Sequence, residues 1–354
     1  MNTRNQLKNI NPYKAGSSKI LGKKNVIKLS SNESPFGPSL RVLKVIQQIS
    51  NTTNRYPESE SLSLKNSISK RYKLNKKNIF CANGSDEILG LICQLYLTKG
   101  DEVIIPKNSF LMYEIYSKIH NAKIIKSKTS NFEVDTNNIL SNINKKTKII
   151  FVANPNNPTG TFLSPKEIES FLDNLDRNII VLLDQAYFDY SSYNNEDISF
   201  DLIKNYPNVI ISRSFSKAYG LAGFRIGYSV SSPEVADYLN RVRQPFNANS
   251  LALVAAEVAL SDENHLKKSL EINLDQKTIL MKGLRNLGYE CIPSEGNFIS
   301  FNSNGNGQKL FEDLLNVGVI VRTLGVYKMP NYLRTTIGLP EENLIFLEKL
   351  SSLS

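Results

Sequence analysis

Between residues 79 and 228 the chain keeps repeating one unit: a short aliphatic run, a turn-rich junction, then apolar residues at helical spacing. Seven such runs, at 79–81, 102–105, 122–125, 148–152, 179–183, 209–211 and 225–228, read as strands. Several are apolar at every position, so both faces of the sheet must be covered. Helices on both sides of a mostly parallel sheet do that. The fold class expected is therefore α/β, with a large domain at 36–250 whose seven-stranded, mostly parallel sheet is covered by helices. After residue 250 the pattern changes. A long helical stretch at 263–287 ends at Gly288, and strands at 297–301, 319–321 and 333–337 alternate with helices. A smaller α+β domain, 251–354, is expected there, completed by the N-terminal segment. Residues 1–35 form a polar arm broken by Pro12, Gly16 and Gly22, with Tyr13 as an isolated aromatic, expected to pack on another subunit.

Composition narrows the function classes. A chain of 354 residues exceeds what one small core organises. No apolar run approaches the ~20 residues that span a bilayer, and the first residues lack a signal peptide's apolar region, so a soluble cytoplasmic protein is expected. Cys81, Cys93 and Cys291 are widely separated and odd in number, which points to reduced buried thiols rather than a disulfide framework or a zinc site. The net charge of +10 is spread among Asn and Ile instead of gathered into a stripe. It therefore argues for steering of small anions rather than for nucleic-acid binding. His120 and His265 stand apart from carboxylates and cysteines, so neither a histidine triad nor a metal site is expected.

In open α/β sheets ligands lie beyond the carboxyl ends of the strands. Four such ends carry chemistry. After the first run, Gly84, Ser85 and Asp86 open a helix whose free amides suit an anion, although a plain N-cap would read the same way. The loop Asn154-Pro155-Asn156-Asn157-Pro158-Thr159-Gly160 is stiffened by two prolines and offers Asn157 as an amide donor. Asp184 follows five aliphatic residues, a costly position for a carboxylate without a cationic partner, and Tyr187 lies three residues on. The protonated nitrogen of a pyridine ring is such a cation. The fourth end places Lys217 among Ser214, Ser216 and small residues, with Arg225 eight positions later. A partly desolvated lysine beside a phosphate site is what a Schiff-base enzyme requires. By itself this stretch reads equally as a surface loop.

Taken together these stretches resemble fold-type-I pyridoxal-phosphate aminotransferases, and among them most closely the histidinol-phosphate aminotransferase group. The resemblance runs through Ser31 to Pro38, Arg55-Tyr56-Pro57, Asn83 to Glu87, the Asn154 loop, Asp184 to Tyr187, Ser214 to Arg225, Gly318 to Arg322 and Leu333-Arg334. It implies that Lys217 carries pyridoxal phosphate, that Asp184 pairs with the ring nitrogen, and that Asn157 and Tyr187 bind the ring hydroxyl. Phe110 would stack on the ring. Amides of Ser85 and Asp86, with Ser214, Ser216 and Arg225, would hold the phosphate. Tyr56 would reach the partner's phosphate in a homodimer with shared active sites. Arg334 would bind the substrate anion, with Tyr13 and Arg322 in the same pocket. The activity implied is transamination from histidinol phosphate to 2-oxoglutarate. Aromatic amino-acid transamination, and decarboxylation of an amino-acid phosphate, are the alternatives within this group. Gln185 stands where glutamate is frequent and Thr323 where proline is common.

Overall fold

The computed structural model describes residues 4–14, 16–20, 22, 26–194 and 199–353. Its central sheet has seven strands: β1 (Ile79–Ala82), β2 (Glu102–Pro106), β3 (Lys123–Ser127), β4 (Thr147–Ala153), β5 (Ile180–Asp184), β6 (Val209–Ser214) and β7 (Gly227–Val230). They lie in the order β1-β7-β6-β5-β4-β2-β3. Neighbours run parallel except at β7, which is antiparallel to both β1 and β6. The uniformly apolar strands follow from alternation across the sheet. Ile150, Val152, Val181 and Leu183 enter the core on one face, while Ile149, Phe151, Ile180 and Leu182 enter the core on the other.

The run expected at 225–228 begins as a strand only at Gly227. Arg225 ends a short 3-10 turn at φ 58°, a left-handed conformation that does not continue a ladder. The helix Leu40–Ile49 buries Val42 fully while Leu40 and Leu43 face outward, Leu40 at 76% exposure.

A second sheet is built from β8 (Phe298–Asn302), β9 (Arg322–Thr323) and β10 (Tyr332–Thr336), in the antiparallel order β8-β10-β9. Helices Glu263–Asn286, Gly307–Asn316 and Pro340–Ser351 pack with it around a separate core that includes Leu280, Leu284, Leu314, Phe301 and Phe346. Leu29 joins this core, and the two-residue strand Ile27–Lys28 pairs in parallel with Val319–Ile320, so the N-terminal segment is sewn into the C-terminal layer. The three cysteines are buried free thiols. Among the described residues no helix is long and apolar enough to cross a membrane, and no group of side chains has the makings of a metal site.

Candidate active site

The parallel register sets Ala153 beside Asp184 and Asp184 beside Ser212, so β4 and β5 end level and β6 runs two residues further, to Ser214. The Asn154 loop, the Asp184–Tyr187 turn and the Ser214–Lys217 turn therefore leave the sheet along one edge. On the far side of β6, antiparallel pairing sets Gly227 beside both Ser214 and Ala82, which delivers the start of helix Ser85–Tyr96 to the same edge. A cavity of about 470 Å³ opens there. It is lined by every residue the sequence nominated except Gly84 and Tyr56.

Lys217 sits at the centre. Its Nζ donates to the Ser31 carbonyl at 3.2 Å and lies 5.4 Å from the centre of the Tyr187 ring. Burial, reinforced by the positive charge of Arg334, lowers its ammonium from the usual range to about 8. Asp184 is buried, and three donors hold it. The Tyr113 hydroxyl meets Oδ2 at 2.8 Å, while Ser212 Oγ and the Ala186 amide each reach Oδ1 at 3.2 Å. Burial pushes this carboxyl up, and the Tyr113 hydrogen bond opposes that rise.

Tyr187 is buried and receives a hydrogen bond from Asn32 Nδ2 at 3.1 Å. Its own hydroxyl proton thus stays free to be given to a ligand. Asn157 is fixed by a similar logic. Arg334 Nη1 donates to Asn157 Oδ1 at 2.5 Å, and because a guanidinium only donates, the Asn157 amino group becomes the end with hydrogens to offer. Sequence reasoning did not assign Tyr113, Asn32 or Ser212. Tyr113 had a readable signal, since it follows Phe110 by three residues on one helix. Asn32 and Ser212 are brought in by tertiary packing alone.

The anion end is formed by close backbone approach. Gly84, at φ 78°, is the N-cap of helix Ser85–Tyr96. A Cβ there would stand 2.6 Å from Arg225 Nη2, and a Cβ on Gly227 would stand 2.6 Å from the Ser85 nitrogen. Arg225 Nη1 also reaches Ser216 Oγ at 3.4 Å. Phe110 sits on the other side, edge-on to Tyr13 and to Tyr113. At the mouth, Arg334 is buried with its Nε unpartnered, and Arg322 donates to the Lys14 carbonyl at 2.6 Å. Tyr56 is elsewhere: it is 81% exposed and stacks on Phe246 with ring centres 4.5 Å apart.

The cavity brings together a carboxylate, a phenol and an amide able to donate, an amine of lowered basicity and an arginine beside a helix start, and this set of groups fits the chemistry of pyridoxal phosphate. Residues 24–350 match the family model of aminotransferase class I and II. The chain belongs to this family. Among its relatives, histidinol-phosphate aminotransferase 1 of Mannheimia succiniciproducens is 44% identical, covering 94% of this chain and 93% of that protein. Histidinol-phosphate aminotransferase 2 of Haemophilus influenzae is 42% identical, covering 98% and 96%. The crystal structure of histidinol-phosphate aminotransferase from Sinorhizobium meliloti in complex with pyridoxal-5'-phosphate superposes with a TM-score of 0.89 at 25% identity, covering 94% and 93%. L-threonine-O-3-phosphate decarboxylase from Porphyromonas gingivalis shares the fold of this aminotransferase, with a TM-score of 0.79 at 24% identity and coverage of 93% and 99%.

Proposed function

We propose that this aminotransferase uses pyridoxal phosphate to move the amino group of histidinol phosphate to 2-oxoglutarate, yielding imidazole-acetol phosphate and glutamate, a step in histidine biosynthesis. The observation that carries the reading is the position of Lys217, an amine of lowered basicity in the same cavity as the Asp184 carboxylate and the Arg334 guanidinium. The names of relatives 42–44% identical over nearly the whole chain support the substrate choice. When bound, the cofactor supplies a covalent attachment point and a conjugated ring that spreads the electron pair left by proton removal.

The chain's residues do the rest. Lys217 would hold the cofactor, and its amine, once freed by the substrate amine, would serve as base and then acid for the proton of the substrate carbon. Asp184 accepts the ring N–H and keeps that nitrogen protonated. The amino group of Asn157 and the hydroxyl of Tyr187 would donate to the ring oxygen, and Phe110 would lie against the ring. Ser85 and Asp86 amides, with Ser214, Ser216 and Arg225, hold the phosphate. Arg334 takes the phosphate of one substrate and a carboxylate of the other, which a planar two-pronged donor does equally well. Arg322 and Tyr13 close the same pocket.

We also read residues 36–250 as a cofactor domain and 251–354, with the N-terminal segment, as a smaller domain; the separate apolar cores support that division. A homodimer in the cytoplasm is the assembly and location we propose. Lys217→Ala is expected to abolish turnover. A panel of amino donors (histidinol phosphate, phenylalanine, tyrosine and threonine phosphate) with 2-oxoglutarate as acceptor tests the substrate. Histidinol phosphate should give the highest kcat/KM, and a tenfold preference for phenylalanine would overturn the assignment.

A further inference from the structure

The helix Leu111–Ile119 does more than carry Phe110 at its N-cap. One turn on, Tyr113 is fully buried, stacked on Phe151 with ring centres 4.7 Å apart and planes 6° apart, and set edge-on to Phe110 at 5.6 Å and 84°. Those two contacts leave its ring no room to swing. Its hydroxyl points at Asp184 Oδ2, and at 2.8 Å this is the shortest of the three bonds that carboxylate receives.

We infer that Tyr113 is a positioning residue for Asp184, holding the carboxylate ionised and aimed at the cofactor's ring nitrogen. The inference rests on the proposed pairing of Asp184 with that nitrogen. Asp184 is buried, so loss of its shortest donor is costly to the charged form. The charged and titratable groups around it are Asp86 from the cradle helix, whose like charge works against ionisation, Tyr187 from the following turn, and Lys217 across the cavity. Tyr113 itself is held well above its ordinary range by burial and by Asp184, so it remains a donor throughout the working pH range. Without its hydrogen bond Asp184 becomes the stronger base of the pair and draws the proton off the ring nitrogen. The ring then loses its positive charge, accepts electrons less readily, and no longer repels a proton on the nearby lysine linkage.

Tyr113→Phe keeps both ring contacts and removes only the hydroxyl, so thermal melting of the holoenzyme should show a folded protein. Two readouts are expected to move: kcat falls at least about tenfold, the scale at which one hydrogen bond to a charged group acts, while KM for 2-oxoglutarate changes less than about twofold. The pH midpoint of the visible absorbance of the lysine-linked cofactor rises by at least about half a unit, the sign required when a neighbouring positive charge is lost. Tyr113→His, which returns an N–H donor on an aromatic ring, should recover part of that shift, and Tyr113→Leu none of it. An unchanged midpoint and kcat in Tyr113→Phe would overturn the inference. Asp184→Asn separates the two levels. If it too leaves the spectrum and turnover intact, the ring-nitrogen pairing itself is wrong; if it removes both while Tyr113→Phe is silent, only the role of Tyr113 falls.

Discussion

Lys217 is where the sequence is most economical and least self-explanatory. Nothing in its neighbours states that its amine will sit near a pKa of 8; burial and the charge of Arg334, which is 117 residues away in the chain, produce that value. The sign has a direct consequence. Below about pH 8 the free amine is an ammonium and not a nucleophile, and above it the neutral amine is available. The rate at which cofactor-free protein captures pyridoxal phosphate should therefore climb through about pH 8 in stopped-flow absorbance and level off above it. In Arg334→Gln that midpoint should move upward, because a repelling positive charge has gone, and KM for both anionic substrates should rise tenfold or more, in keeping with a loss of about 1.5 kcal/mol or more for a charge-assisted bond. A midpoint that stayed put in Arg334→Gln would show that Arg334 does not set the lysine's basicity.

Among the elements, the helix Ser85–Tyr96 and strand β7 depend on each other. Gly227 lets β7 pass so close that the first amides of the helix face the cavity instead of being propped away from it. Gly227→Ala places a methyl 2.6 Å from the Ser85 nitrogen and 2.8 Å from the Arg213 carbonyl, both backbone atoms that cannot rotate aside. The expected outcome is a loss of stability of about 1–3 kcal/mol in denaturant unfolding and a clear rise in the pyridoxal phosphate dissociation constant by equilibrium dialysis. Gly223→Ala, where a Cβ meets no heavy atom within 4 Å, is the matched control and should do neither. At this scale the sequence was a good guide to strands, because Ile, Val and Leu runs buried on both faces admit few other readings. It misplaced the start of β7, since the left-handed turn at Arg225 is decided by what the guanidinium must reach and not by local propensity.

For the molecule as a whole, charge and surface give two expectations. Beside the cofactor cavity lies a second, of about 1110 Å³, sharing Tyr13, Arg322 and Tyr327 with it. Its basic lining includes Lys14, Lys107, Lys118, Lys126, Arg322 and Lys328, against the single carboxylate of Glu114. Such a mouth should concentrate anionic substrates, so kcat/KM should fall between about 0.05 and about 0.5 M salt while kcat holds, and Lys107→Glu should reproduce part of the fall at low salt. Exposed Tyr56, with Leu40 and Leu62 also turned outward, is what a dimer face would explain. If Tyr56 serves the partner's site, mixing inactive Lys217→Ala chains with Tyr56→Ala chains should restore activity above either alone, because one of the two sites in each hybrid is whole. The chain by itself determined the α/β layering, the strand ends and the residue types that meet a pyridoxal ring, since those follow from local periodicity and from chemistry that few residues supply. Only the tertiary structure decided which end of Asn157 faces the ligand, that Tyr113 and Asn32 stand behind Asp184 and Tyr187, and how basic Lys217 is. Each of those depends on groups far apart in sequence that share one low-dielectric pocket.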